Sequence, residues 1–268
     1  MEETKYMCLL AAGTTEGLEA MKVLDALQIK TAACTATDLG KEMLEHTGAD
    51  VFAGRMDADD FERFIKKHDI RFIVDATHPF AVDVTANLKT ACARLNVIYV
   101  RFMRRQLDYD YDQIIRADSA FAAAEIVKNM KGNILLTTGA NTAPIYKAAL
   151  PDFNSRVYIR VLDTEDSKAR CMSAGIDAGH VIAKNPPFSK ADNEALIKAY
   201  DIRVLVSKDS GMSGGLIEKI ESAKAFHIPV VLIDRPKEAA EIEVESVETA
   251  AALEVKLGQI KEKLCQDL

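Results

Sequence analysis

Residues 7–17 read MCLLAAGTTEG, and the fold turns on that stretch. The run from Tyr6 to Ala12 is apolar without polar alternation, the pattern of a strand buried on both faces. It ends in the small-residue turn Ala12-Gly13-Thr14-Thr15-Glu16-Gly17, after which Leu18, Met21, Leu24 and Leu27 recur at helical spacing. A buried strand that passes through glycine straight into a helix opens a β-α-β unit.

The pattern repeats along the chain. Strand-like runs at Thr31–Thr35, Val51–Ala53, Phe72–Asp75 and Ile98–Val100 alternate with helical stripes such as Val84, Leu88, Ala91 and Leu95. After a polar and aromatic stretch at 102–112, further runs follow at Ile114-Ile115, Ile134–Thr138, Val157–Leu162, Val181–Ala183, Val204–Ser207 and Val230–Ile233. Asp118 is the expected N-cap of the alanine-rich helix that follows it. Leu253, Leu257, Ile260 and Leu264 mark a C-terminal helix. Repeated β-α-β units imply mainly parallel sheets covered by helices on both faces. The strands are too many for one ordinary sheet. The expectation is an α/β protein of two domains, residues 1–117 and 118–268, with a cleft between them.

Bulk properties narrow the partners. The 268 residues are 49% apolar and 28% charged, the balance of a globular protein, and the formal net charge of -7 excludes a basic footprint for nucleic acid or an anionic membrane. An anionic ligand therefore needs a local basic patch. No basic-then-apolar leader opens the chain, and no apolar run approaches the ~20 residues that span a bilayer, so a cytoplasmic protein is expected. Cys8, Cys34, Cys92, Cys171 and Cys265 lack C-x-x-C spacing and read as reduced thiols with no structural metal.

Ligands of open α/β sheets bind beyond the carboxyl ends of the strands. Those ends carry Gly13–Gly17, Thr35-Ala36-Thr37-Asp38, Thr77-His78-Pro79-Phe80, Arg101 with Arg104 and Arg105, Thr137-Thr138-Gly139, Lys184–Phe188, and Lys208-Asp209-Ser210-Gly211 with Gly214-Gly215. The opening turn is G-x-x-x-G, not G-x-G-x-x-G, so by itself it is equally a plain strand-to-helix corner. Read functionally, Thr14 and Thr15 face a pyrophosphate at a helix N-terminus, while Glu16 caps the helix or meets a ribose hydroxyl. His78, held extended by Pro79, is either a donor to ligand or a brace for its own loop. Lys208 beside a glycine-rich turn suits an anionic ligand, against the simpler reading of a Lys–Asp surface pair. Three arginines in five residues at 101–105 suit carboxylates, against pairing with Asp108, Asp110 and Asp112.

In order along nearly the whole chain, G-T-T-E-G, V-D-A-T-H-P-F-A (Val74–Ala81), Arg101, T-T-G (Thr137–Gly139), P-F-S (Pro187–Ser189), K-D-S-G with G-G (Lys208–Gly215) and I-P-V-V-L-I-D-R-P (Ile228–Pro236) resemble the precorrin-6A reductase family of corrin biosynthesis. The resemblance implies two Rossmann-like domains, residues 1–117 binding a nicotinamide cofactor and 118–268 the substrate, and an oxidoreductase that delivers a hydride from that cofactor to a conjugated tetrapyrrole, metal-free or with cobalt. On that basis the cofactor is expected at Gly13, Thr14, Thr15, Glu16, Gly17, Thr35, Thr37, Thr77 and Pro79. The substrate is expected at Arg101, Gly139, Lys184, Asp209, Ser210, Gly214 and Gly215, with the proton coming from Lys208, His78 or water. Thr35, Thr37 and Lys41 favour NADPH, with NADH the alternative if Asp38 turns toward the ribose. The competing readings are a two-domain nucleotide-sugar transferase and a nucleotide-sensing binding module, since the fold class hosts all three. Oligomeric state is not legible.

Overall fold

The computed structural model describes residues 5–103, 108–211, 214–236 and 245–266. The chain runs β1 (Cys8–Ala11), α1 (Thr15–Ala26), β2 (Thr31–Thr35), α2 (Asp38–Glu45), β3 (Asp50–Ala53), α3 (Ala58–His68), β4 (Phe72–Asp75), α4 (Val82–Leu95) and β5 (Ile98–Phe102). It continues through β6 (Ile114–Ala117), α5 (Ala120–Lys128), β7 (Asn133–Leu136), α6 (Ala143–Ala149), α7 (Phe153–Arg156), β8 (Val157–Val161) and α8 (Glu165–Ser173). Then come β9 (Val181–Ala183), α9 (Lys190–Ala199), β10 (Ile202–Lys208), α10 (Leu216–Ala225), β11 (Val230–Ile233), β12 (Glu245–Val247) and α11 (Ala250–Gln266).

The strands form two six-stranded sheets, ordered β12-β5-β4-β1-β2-β3 and β6-β11-β10-β7-β8-β9. Every ladder among the described residues is parallel. Parallel strands need crossovers, and the crossover helices cover both faces. Hence β1, β4 and β11 are buried along their whole length, which is why they read as unbroken apolar runs. In the first sheet, Leu10, Val74 and Val100 pack on one face with Met21 and Leu24 of α1 and Leu253 and Leu257 of α11. Leu9, Ile73 and Tyr99 pack on the other with Phe61 and Ile65 of α3 and Leu88 and Cys92 of α4.

Local signals place several helix starts. Asp57 and Asp60 form a reciprocal capping box on α3, and Ser189 with Asp192 does the same on α9. On α5 the cap is Ser119, not Asp118: Ser119 Oγ accepts from Ala122 N at 3.1 Å, and the Asp118 carboxylate accepts from the Ser119 hydroxyl at 2.9 Å.

The division expected at residue 117 is corrected. One compact unit comprises residues 1–105 and 237–268, the other 106–236. β6 pairs with β11 and so opens the second sheet. β12 pairs with β5, and α11 returns to lie against α1. A helical stripe records that a face is buried but not which sheet buries it, and β12 is too short to announce itself.

Because Leu257 is fully buried against the first sheet, Leu257→Ala is expected to cost about 2–5 kcal/mol of unfolding free energy. Urea titration followed by circular dichroism measures it. A loss below about 1 kcal/mol would remove α11 from the core of the first unit.

Candidate functional site

Each sheet has one point where chain connections leave in opposite directions, between β1 and β4 in the first and between β7 and β10 in the second. Loops separate there and leave room for a ligand. In the first unit Thr14 Oγ1 donates to Ala76 O at 3.0 Å, joining the loops after β1 and β4. In the second, Thr137 donates to Val206 O through both its backbone N–H and its hydroxyl, at 2.9 Å each.

The turn after β1 is more than a corner. Thr14 is the N-cap of α1, but its hydroxyl is turned to Ala76 and does not cap the first-turn N–H groups. Gly13 is exposed with φ +143°, a conformation that side chains rarely adopt. At Gly17 a Cβ would come within 2.5 Å of the Ala12 Cβ, so glycine there lets α1 pack against β1. Thr15 is exposed, and its hydroxyl donates to the Glu16 carboxylate at 3.3 Å.

The loop after β4 is built on a buried carboxylate. Asp75 is 0% exposed and accepts five hydrogen bonds. Its Oδ1 takes Thr77 N at 2.9 Å, Thr77 Oγ1 at 2.7 Å and Arg101 Nη1 at 2.9 Å. Its Oδ2 takes Thr85 Oγ1 and Tyr99 Oη, both at 2.8 Å. Asp75 and Arg101 are register partners on β4 and β5, which brings their side chains together. Arg101 is 1% exposed and also donates to the carbonyls of Asp75 and Thr77.

These contacts correct several expectations. Arg101 does not reach out to a substrate; its guanidinium braces the loop that carries His78. Thr77 spends its hydroxyl and its backbone N–H on Asp75, and its carbonyl accepts from Arg101, so it braces the loop. Thr35 is 5% exposed, and its hydroxyl accepts from Thr37 N at 3.5 Å. Thr37 is exposed and caps α2 by accepting from Gly40 N at 3.1 Å, with its hydroxyl proton still to give. His78 Nδ1 accepts from Phe80 N at 3.2 Å, so the proton of the neutral ring resides on Nε2. Pro79 is half-buried between them. Arg104 and Arg105 lie outside the described residues, as does the Asp38 side chain, although α2 does begin at Asp38.

The second unit repeats the device. Asp209 is 0% exposed and accepts from Tyr109 Oη at 3.2 Å and Arg116 Nη1 at 3.4 Å. Its own carbonyl accepts from Arg235 Nε at 3.1 Å. Asp209 therefore anchors the loop and is corrected as a substrate contact. Lys208 precedes it half-buried, and desolvation lowers the ammonium pKa. Ser210 packs so tightly on Gly214 that a Cβ there would lie 1.8 Å from its hydroxyl. Gly215 caps α10 and Gly139 opens the short turn after β7. Lys184 follows β9, the edge strand, away from the β7–β10 switch point, and its Nζ pairs with Asp192 at 2.5 Å.

One residue was hidden from linear reading. Gly54 N donates to Thr35 O at 2.9 Å, which places Arg55 beside the end of β2. Arg55 is exposed and lines a cavity of about 400 Å³ with Phe52, Met56, Phe64, Lys67 and His68. That cavity runs along the edge strand β3, and no residue of the loops after β1 or β4 lines it. The signal for Arg55 is sheet order: β3 follows β2 outward, so its carboxyl end neighbours the β2 end. Among the described residues no cluster of three metal-ligating side chains occurs, and no helix is long and apolar enough to cross a membrane.

The family model for "Precorrin-6x reductase CbiJ/CobK" matches residues 7–254. A cobalt-precorrin-6A reductase of Priestia megaterium is 34% identical over 86% of this chain and 91% of its own length. One from Methanothermobacter thermautotrophicus is 31% identical over 88% of this chain and 78% of its own length. The solved structure of a CobK precorrin-6A reductase superposes with a TM-score of 0.77 at 21% identity, covering 96% of this chain and 97% of that one.

Removing Arg101 strands the Asp75 carboxylate in the core. Arg101→Met is expected to cost about 3–5 kcal/mol in urea unfolding. A loss under about 1 kcal/mol would show that the hydroxyl donors alone hold the charge.

Proposed function

The chain belongs to the precorrin-6x reductase family and is an oxidoreductase acting on a tetrapyrrole intermediate of cobalamin biosynthesis with a nicotinamide cofactor, and we propose that it reduces cobalt-precorrin-6A with NADPH held by the first unit. The transferase and sensor readings give way to this one. The observation that carries the cofactor half is the uncapped start of α1 beside exposed Gly13, with Thr14 tying that turn to the β4 loop. A helix start that its N-cap side chain leaves uncapped, at the positive end of the helix dipole, suits a pyrophosphate. The cobalt form is favoured by the two relatives at 34% and 31% identity, both cobalt-precorrin-6A reductases.

A bound nicotinamide supplies the hydride; the protein positions, excludes water and provides a proton. Thr15 and Gly17 complete the pyrophosphate turn, and Glu16 meets a ribose hydroxyl. Thr37 and Arg55 take a 2′-phosphate: an exposed guanidinium beside the β2 end selects NADPH over NADH. His78, fixed through Nδ1, offers Nε2–H as a donor. In the second unit the backbone of Gly139, Ser210, Gly214 and Gly215 lines the substrate loops. Lys208 delivers the proton, since burial makes its ammonium a stronger acid than a surface lysine. The protein works in the cytoplasm.

The direct test mixes purified protein with NADPH and cobalt-precorrin-6A and follows cofactor absorbance, with NADH and the metal-free substrate as parallel arms. No oxidation in any combination overturns the reading. Arg55→Gln is expected to weaken adenosine 2′,5′-bisphosphate about tenfold or more by calorimetry, the loss of a charge-assisted hydrogen bond, with 5′-AMP unaffected. Equal weakening of both would deny Arg55 the phosphate. Lys208→Ala should lower kcat/KM about tenfold or more with that bisphosphate bound as before; wild-type kinetics would return the proton to water or His78.

A further inference from the structure

The second unit buries two cations that no carboxylate of the described residues pairs. Arg160 of β8 is 5% exposed. Its Nη1 donates to Asn193 Oδ1 of α9 at 2.7 Å, and its guanidinium carbon lies 3.8 Å from the centroid of the Phe188 ring. Lys219 of α10 is 6% exposed, and its Nζ donates to Gly214 O at 2.8 Å. The nearby acids do not close the charge. Asp192 is engaged by Lys184 Nζ and by the N–H and hydroxyl of Ser189, and Glu218 Oε2 is buried without a hydrogen-bond partner.

Burying a cation without an anion is costly, and proteins that do so elsewhere neutralise it or pair it. The environment registers that cost. Burial pushes Arg160 down to about 10, and burial together with the charge of Arg160 pushes Lys219 down to about 7. The fork of Arg160 is nevertheless held in one plane by Phe188 and in one direction by Asn193. Its Nε and Nη2 make no hydrogen bond among the described residues, and neither is sealed from solvent. A preoriented guanidinium with open donors, next to a second amine and to the Gly214 carbonyl of a candidate substrate loop, is built for a planar anion.

We infer that Arg160, Phe188 and Lys219 form a carboxylate-binding subsite that takes one peripheral carboxylate of the tetrapyrrole. The inference rests on the tetrapyrrole reading above. Arg160 supplies two open N–H donors, the Phe188 face keeps them aligned, and Lys219 adds a second amine from the α10 side. The P-F-S segment then has a chemical purpose: it carries the ring that aims the guanidinium.

The test compares Arg160→Met and Arg160→Lys with the wild type, in thermal unfolding without ligand and in steady-state reduction of cobalt-precorrin-6A. The subsite predicts that Arg160→Met unfolds at or above the wild-type Tm, because an unpaired buried charge has been removed. It predicts a KM for the tetrapyrrole raised about tenfold or more, with kcat changed less than about threefold. Arg160→Lys keeps the charge and should recover part of that KM. A lowered Tm with unchanged KM assigns Arg160 to the core alone and overturns the subsite. If Arg160→Met lowers Tm and raises KM together, Arg160→Lys decides: partial recovery supports a carboxylate contact, and none overturns it. Absence of turnover by the wild type overturns the reductase reading and the subsite with it, whereas wild-type turnover with unchanged KM in Arg160→Met overturns the subsite alone.

Discussion

The Asp75 carboxylate is the constraint around which the first unit is arranged. A charge with no solvent contact is tolerable only when donors fill its lone pairs. Arg101 and Tyr99 come from the next strand, Thr85 from α4 and Thr77 from the loop itself. The carboxylate thus binds strand, helix and loop into one piece. The loop after β4 inherits that rigidity, and Thr14 passes it to the turn after β1. Loops that must hold a ligand in one geometry work best when second contacts of this kind lock them.

Asp209 solves the same problem in the second unit with different partners. Tyr109 and Arg116 replace Tyr99 and Arg101, and Arg235 fixes the main chain. Both aspartates stand at the carboxyl end of a strand flanking a switch point, where the α/β fold places its ligands. The charge of Asp75 adds to burial in pushing the Cys34 and Cys92 thiols up to about 12, so these cysteines stay protonated and inert as core residues.

A chain of net charge -7 that receives a polycarboxylate must concentrate its cations locally. The structure distinguishes two uses of them. Arg101 is consumed by an internal acid and serves shape. Lys208, Arg160 and Lys219 are desolvated, and burial lowers their pKa values; among the described residues no carboxylate forms an ion pair with Arg160 or Lys219.

Much was legible in the sequence because burial on both faces of a parallel sheet leaves an unmistakable record. The runs at Thr31–Thr35, Phe72–Asp75 and Val230–Ile233 coincide with strands residue for residue. Strand–turn–helix order also marked Gly13–Gly17 and the Lys208 loop as strand ends. What the linear chain left open were relations between distant residues. Arg101 read as a free cation because nothing in Ile98–Phe102 reveals its register with Asp75 on β4. Arg55 was overlooked because only the order β1-β2-β3 sets Gly54 against Thr35. Arg160 gave no signal, being a lone charge inside an apolar strand, and α11 could not declare which sheet it covers. Sequence by itself determined the elements, the fold class and the family, since these follow from local periodicity and ordered motifs. Tertiary structure alone decided which charges neutralise each other, because pairing depends on distance through space, and distance is set by strand order and register.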